Sequence, residues 1–333
     1  MRHAYLIAIA STLGLGGCAF NQACCDPCAP TASAPASMPM PTPTPAMPVP
    51  ARPFALYDGN GAPTTLAAFL DASKDADLVA FGEFHGHPVG AEMELKTLEG
   101  MAAGSRPVAL AMEFFERDVQ GALDDYLAGK TTEAEFLKVA RQGPAYRTTH
   151  RPLVEYAKAH KFAVIAANSP RRLVTEYRKS EKPYADYLST LSEADRGYLP
   201  AETTTATGPY LERFTKLMGT DRGPKLIKGQ SLWDDAMSDA MAKHRDAHPD
   251  ARILFIVGGF HVAGRLGTIT KFSARRPTDR VAVLVMSSGQ PPALPFDAED
   301  RGEGDAILTV VPQPAPAAPA KMPTPAPTAN PKP

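Results

Sequence analysis

Two histidines occupy the same local context in the sequence, three residues after a glycine. Gly82-Glu83-Phe84-His85 follows one short apolar segment, and Gly258-Gly259-Phe260-His261 follows another. A third apolar segment is followed by Glu113. Imidazole and carboxylate groups are the usual ligands of zinc and related metals. The sequence therefore predicts a site for a divalent transition metal such as zinc or manganese, with four candidate ligands: His85, His261, Glu83 and Glu113.

The same residues could support two kinds of chemistry. A carboxylate at the end of an apolar strand is costly to bury unless it is paired or bound to a cation. In a metal-dependent hydrolase, Glu83 or Glu113 would be the catalytic general base acting on a water molecule held by the histidines. Alternatively, one imidazole would be an axial ligand to haem iron. A single histidine is more often a simple hydrogen-bonded residue, but the paired motifs together favour a functional crevice.

The elements that must position these residues are short apolar segments alternating with longer amphipathic ones. The apolar segments are 78–81, 108–112, 162–166, 253–257 and 281–285. Because they are almost entirely apolar, we expect strands buried on both faces, in a mostly parallel sheet flanked by helices. The fold class is therefore α/β. Ligands of such sheets bind beyond the carboxyl ends of the strands, where the candidate residues lie.

Helices are predicted between these strands, over 89–103, 119–127, 132–141, 151–160, 171–176, 210–218 and 226–244. The long section from about 170 to 250 contains no convincing strand and is interpreted as a helical insertion or cap. Within it, Trp233 and Met237 are spaced to share one helical face, which is typical of core residues. A core helix there would position Asp234 under the crevice without making it a ligand.

The first residues are typical of a secretory signal peptide, assigned to 1–17. The apolar stretch is too short to span a bilayer. Leu15-Gly16-Gly17-Cys18 resembles the bacterial lipobox, which predicts lipidation of Cys18 and attachment to a membrane of the cell envelope. Ala19 follows the cysteine, which favours the outer membrane in a Gram-negative host.

Composition divides the rest of the chain. Residues 18–53 are rich in proline and predict a lipid-anchored spacer, 54–311 form the α/β domain, and 312–333 form a second disordered proline-rich arm. All four cysteines lie before the domain, so disulfides cannot hold it together: Cys18, Cys24, Cys25 and Cys28. The formal net charge is −1 and no long basic run is present, which gives no support for nucleic-acid binding.

Four segments, taken in order, resemble the ChaN-like family of haem-binding uptake lipoproteins, part of the Tiki superfamily with erythromycin-esterase-like proteins and Tiki metalloproteases. They are Gly82-Glu83-Phe84-His85, Ala111-Met112-Glu113, Gln230 to Met237 and Gly258 to Val262. The resemblance implies a surface lipoprotein that binds haem and serves iron uptake. The superfamily's hydrolases imply the alternative, a metal-dependent hydrolase using the same crevice.

The resemblance leaves the iron ligand open. Besides His85 and His261, the candidates for contact with haem are Tyr146, Tyr210 and His150, since tyrosine also ligates haem iron in some proteins. His150 stands where the resemblance leads us to expect tyrosine. For each of these three, a helix-packing or surface role is the alternative interpretation. A homodimer formed around haem is compatible with the sequence.

Overall fold

The computed structural model describes residues 54–313. A seven-stranded sheet runs through the centre of this part, in the spatial order β1-β7-β6-β2-β5-β3-β4. Only the β1–β7 pair is antiparallel. The strands are β1 (Phe54–Asp58), β2 (Leu78–Glu83), β3 (Val108–Glu116), β4 (Ala163–Asn168), β5 (Arg252–Gly258), β6 (Val281–Ser288) and β7 (Ala306–Val310). The predicted α/β class and mostly parallel sheet are confirmed.

The helices cover both faces of this sheet. They are α1 (Leu66–Ala72), α2 (Pro88–Ala102), α3 (Gln120–Leu127), α4 (Glu133–Ala140), α5 (Arg151–His160), α6 (Arg171–Lys179), α7 (Tyr184–Ser189), α8 (Glu193–Gly197), α9 (Gly208–Met218), α10 (Gly223–Ala247) and α11 (Thr268–Arg275). Every predicted helix is present, with ends shifted by a few residues. The sequence patterns did not predict the short helices α1, α7, α8 and α11, nor the edge strands β1 and β7.

The section between β4 and β5 contains five helices, α6 to α10, and no strand in this fully described range, as predicted for a helical insertion. Its longest helix, α10, packs against β4, α6, α9 and α11. Met237 and Met241 of α10 are fully buried in the core, and Trp233 is partly buried against it. The sequence interpretation of this helix as a core element is therefore correct.

Alternate residues of the central strands enter two separate cores, because successive strand side chains point to opposite faces. Phe81, Leu110 and Ile256 pack on the face covered by α2, α3 and α5. Ala80, Ala111 and Phe255 pack on the face covered by α10 and α11. This double burial explains why the central strands read as continuous apolar segments.

The predicted signal peptide, Cys18 and the proline-rich spacer lie outside the described residues, as does the tail from 314 onward. Within residues 54–313, no helix combines the length and the apolar character that crossing a membrane would require.

Candidate functional site

The strand order brings the predicted residues to one edge of the sheet. β5 lies between β2 and β3, and all three run parallel, so their carboxyl ends meet. Glu83 at the end of β2 is aligned with Gly258 at the end of β5. Glu113 of β3 reaches the same point, because its Oε2 accepts a hydrogen bond from the backbone N–H of Gly258 at 2.7 Å. Residues from three separate segments therefore form one crevice.

His85 lies at the open side of this crevice. Its Nδ1 is 2.9 Å from Glu83 Oε1, and 47% of its side chain is exposed. Partial burial lowers the pKa of His85, but the hydrogen bond to Glu83 and the charges of Glu113 and Glu83 outweigh this and raise it to about 9. The carboxylate thus fixes the imidazole ring in place with its Nε2 side directed away from Glu83.

His261 is held in the same way from the opposite side, by the core helix α10. Its Nδ1 is 2.6 Å from Asp234 Oδ1, and Asp234 is completely buried. Tyr210 and Thr268 each donate a hydroxyl hydrogen bond to this carboxylate at 2.7 Å. Burial lowers the pKa of His261, while the charges of Asp234 and Glu113 raise it, and the net direction is upward. Asp234 therefore orients a site histidine, as the sequence analysis expected.

Glu113 lies between the two histidines. Its Oε1 is 3.6 Å from His261 Nε2. A Cβ atom added to Gly258 would be 2.9 Å from His85 Cε1 and 3.4 Å from Glu113 Oε2, so only glycine permits this close arrangement. Two imidazoles, each held by a carboxylate, thus converge on a third carboxylate. Such an arrangement can ligate a metal or move a proton.

A third imidazole, His150, contacts Glu83 from below the crevice. Its Nε2 is 3.0 Å from Glu83 Oε2, and its ring stacks on Phe114 at a centroid distance of 3.7 Å. His150 is only 5% exposed. Burial alone would raise the pKa of Glu83, but the hydrogen bonds from His150 and His85 overcome it and lower the pKa to about 2. Glu83 is therefore a carboxylate shared between two histidines.

The two candidate tyrosines are both buried, in different places. Tyr146 is 3% exposed, its ring is 6.2 Å from that of Phe115, and its hydroxyl has no hydrogen-bond partner. Burial raises its pKa. Tyr210 is 4% exposed and donates to Asp234. Of the five residues predicted to contact haem, His85 alone has a largely open side chain.

The sequence analysis missed Glu94, which lies in the middle of α2 and is completely buried. Burial and the charge of Glu83 raise its pKa well above the usual value. The available signal was its position on the apolar face of the helix, one residue after Met93 and four before Leu98, where a charged residue is unexpected.

Comparison with known proteins places these residues in a family. A family model described as "Haem-binding uptake, Tiki superfamily, ChaN" matches residues 69–272. The chain belongs to this family. The family predicted from the sequence motifs is therefore confirmed. No curated protein sequence matches this ChaN-family chain.

Solved structures share the fold. ChaN of Campylobacter jejuni, described as binding haem cofacially, is 15% identical, with a TM-score of 0.56 over 77% of this chain and 96% of that one. The type III effector HopBA1 is 11% identical, with a TM-score of 0.45 over 79% and 99% of the two chains. The erythromycin esterase EreC is 12% identical, with a TM-score of 0.40 over 78% and 83%.

Proposed function

We propose that this ChaN-family protein binds haem at the carboxyl edge of its sheet, in the crevice lined by His85, Glu113 and His261. The observation that carries the proposal is the family match over 69–272, since this family is defined by haem-binding uptake. The open His85 at the crevice edge supports the placement. We therefore propose a haem protein rather than an enzyme as the first function.

His85 is the residue that we propose as the iron ligand. Haem iron accepts an imidazole nitrogen as an axial ligand. The Nδ1 of His85 is bonded to Glu83, so its other ring nitrogen is the one left to ligate, and the carboxylate strengthens it as a donor. Phe114 lies edge-on to this imidazole at 5.4 Å and is partly buried, which offers the porphyrin an apolar contact. His150, Tyr146 and Tyr210 are too buried to serve without rearrangement.

A hemin titration followed by absorbance tests this proposal. The full-length protein should give a saturable Soret shift, and His85→Ala should abolish it or move the peak. His160→Ala is the matched control, because His160 is exposed and bonds only the backbone of Tyr156. The proposal of haem binding fails if no saturable shift occurs. The assignment of the ligand fails if His85→Ala and the native protein give the same spectrum and affinity.

A metal-dependent hydrolase is the second candidate function. It is favoured by the position of Glu113, which lies 3.6 Å from His261 Nε2 and beside His85. A metal held there by His85 and His261 would supply an activated water, with Glu113 or Glu83 as the general base. Bound zinc or manganese in the purified protein, together with ester hydrolysis that Glu113→Gln abolishes, would support this function. Hemin binding without metal or hydrolysis would count against it.

We further propose that the protein acts in iron uptake while anchored to the cell envelope through acylated Cys18. The supporting observations are the lipobox-like Leu15-Gly16-Gly17-Cys18 and the proline-rich composition of 18–53. In a Gram-negative host the anchor would lie in the outer membrane. A homodimer around haem belongs to the same proposal, and the molar mass in solution with and without hemin tests it.

A further inference from the structure

A second group of ligand-type side chains lies beneath the crevice, between the end of β2, the middle of α2 and the residue before α5. Glu83, Glu94 and His150 each offer one ligand atom, and these atoms lie within 4.8 Å of one another. The three residues are buried, with exposures of 4%, 0% and 5%. Within residues 54–313, no other three His, Cys, Asp or Glu residues come together in this way.

Glu94 is the feature of this group that needs an explanation. Neither of its carboxyl oxygens has a hydrogen-bond partner, although the residue is completely inside the protein. Native proteins keep few such groups, because an unpartnered buried carboxyl loses its hydration without replacement. A proton would remove the charge of Glu94, and its raised pKa favours one, but both oxygens would still lack a partner. A cation beside Glu83 would satisfy the charge and the oxygens together.

We propose that Glu83, Glu94 and His150 form a binding site for a divalent transition metal, zinc or manganese. One imidazole nitrogen and two carboxylate oxygens are a donor set that both ions accept. Metal–ligand bonds of about 2.0–2.2 Å would require only small side-chain movements from the present spacing. His85 bonds the other oxygen of Glu83, which is the usual support for a ligating carboxylate.

This site differs from the crevice above it in residues and in exposure. Glu94 and His150 belong to neither the pair of glycine-histidine motifs nor the Asp234 network. Phe114 covers His150 by stacking on its ring. The proposal does not rest on haem binding, since no atom of the three ligands needs to contact haem.

The test is a calorimetric titration of chelator-treated full-length protein with ZnCl2 and with MnCl2, in the absence of hemin. We expect saturable binding of one equivalent of at least one ion that depends on the three ligands. Glu94→Gln and His150→Gln should each weaken this binding by at least about tenfold. The ion should also raise the melting temperature of the native protein and leave that of Glu94→Gln unchanged.

Matched variants separate this site from the rest of the chain. Glu92→Gln alters an exposed residue of α2 that pairs with Lys96, and His160→Gln alters an exposed residue of α5. Both should bind the ion as the native protein does, and so should His261→Ala. The cysteines before residue 54 contribute the same background to every variant.

Three results would overturn the proposal: no saturable binding of either ion, equal binding by the native protein, Glu94→Gln and His150→Gln, or loss of binding in His261→Ala. The last result would instead place the metal in the upper crevice. Since hemin is absent, none of these results bears on the proposed haem binding.

Discussion

At the residue scale, buried carboxylates hold the three imidazoles of the site. Glu83 bonds both His85 and His150, and Asp234 bonds His261. A carboxylate partner fixes the orientation and the tautomer of an imidazole and increases its strength as a ligand. The site is therefore organised before any ligand arrives, and small changes in its packing should have measurable effects on binding.

Gly258→Ala should disturb the site without disturbing the fold. The added methyl group would lie 2.9 Å from His85 Cε1, so the ring must move. The φ of Gly258 is −57°, which alanine adopts without strain. We expect hemin affinity to fall by about tenfold, equivalent to about 1.4 kcal/mol, with an unchanged circular dichroism spectrum. Gly121→Ala is the control, because nothing lies within 4 Å of its added Cβ. Equal hemin affinities for the two variants would contradict the prediction.

Asp234→Asn should destabilise the protein. The carboxylate is completely buried and is hydrogen-bonded to His261, Tyr210 and Thr268, so an amide N–H would face one of their donors. Losing a buried partner costs about 1–3 kcal/mol of unfolding free energy, which urea denaturation can measure. Asp246→Asn, an exposed change at the end of the same helix, should alter stability by no more than about 0.5 kcal/mol. Similar losses in both variants would show that the network is not responsible.

At the scale of elements, the site depends on the order of the strands and on α10. The insertion of β5 between β2 and β3 brings Glu83, Gly258 and Glu113 together. Helix α10 reaches the same place from the other face of the sheet and supplies Asp234. The end of α10 is fixed by Asp279, which bonds Arg245 at 2.9 Å and Arg276 at 3.1 Å.

The Asp279 ion pairs predict a dependence of stability on pH. Burial tends to raise the pKa of Asp279, but the hydrogen bonds from Arg245 and Arg276 outweigh it and lower the pKa below 3.8. A lowered pKa means that this carboxylate stabilises the fold above its unfolded pKa of about 3.9, and that the contribution is lost as pH falls through the folded value.

Asp279→Asn should therefore be less stable than the native protein at pH 7, with a difference that shrinks below about pH 4. Urea denaturation at a series of pH values measures this. Asp71→Asn serves as the control, since the Asp71 side chain is 80% exposed. A difference between Asp279→Asn and the native protein that stays constant down to the lowest pH at which both fold would rule out the mechanism.

At the scale of the whole molecule, the anchor determines where the proposed haem site operates. Cys18→Ala should prevent acylation, so the protein should no longer incorporate radiolabelled palmitate and should leave the membrane fraction. Cys24→Ala, in the same segment but outside the lipobox-like motif, should remain membrane-bound. Retention of Cys18→Ala on membranes would contradict the proposed anchor.

Much of the fold could be predicted because the central strands are buried on both faces and therefore stand out as apolar segments. The polar residues at the ends of these strands, such as Glu83 and Glu113, could be found for the same reason. The edge strands β1 and β7 were missed because each has only five residues. Glu94 was missed because its helix was judged by its periodicity, and a single buried carboxyl hardly changes that pattern.

By itself, the sequence determined the family, the α/β class and which histidines and glutamates stand at strand ends, since these follow from local patterns of apolar and polar residues. The tertiary structure alone decided which residues meet. Glu113 reaches Gly258 across 145 residues and His150 reaches Glu83 across 67. Such contacts depend on strand order and helix packing, which local patterns do not encode. The same packing decided that His85 is open, that both tyrosines are buried and that Glu94 lies beside Glu83.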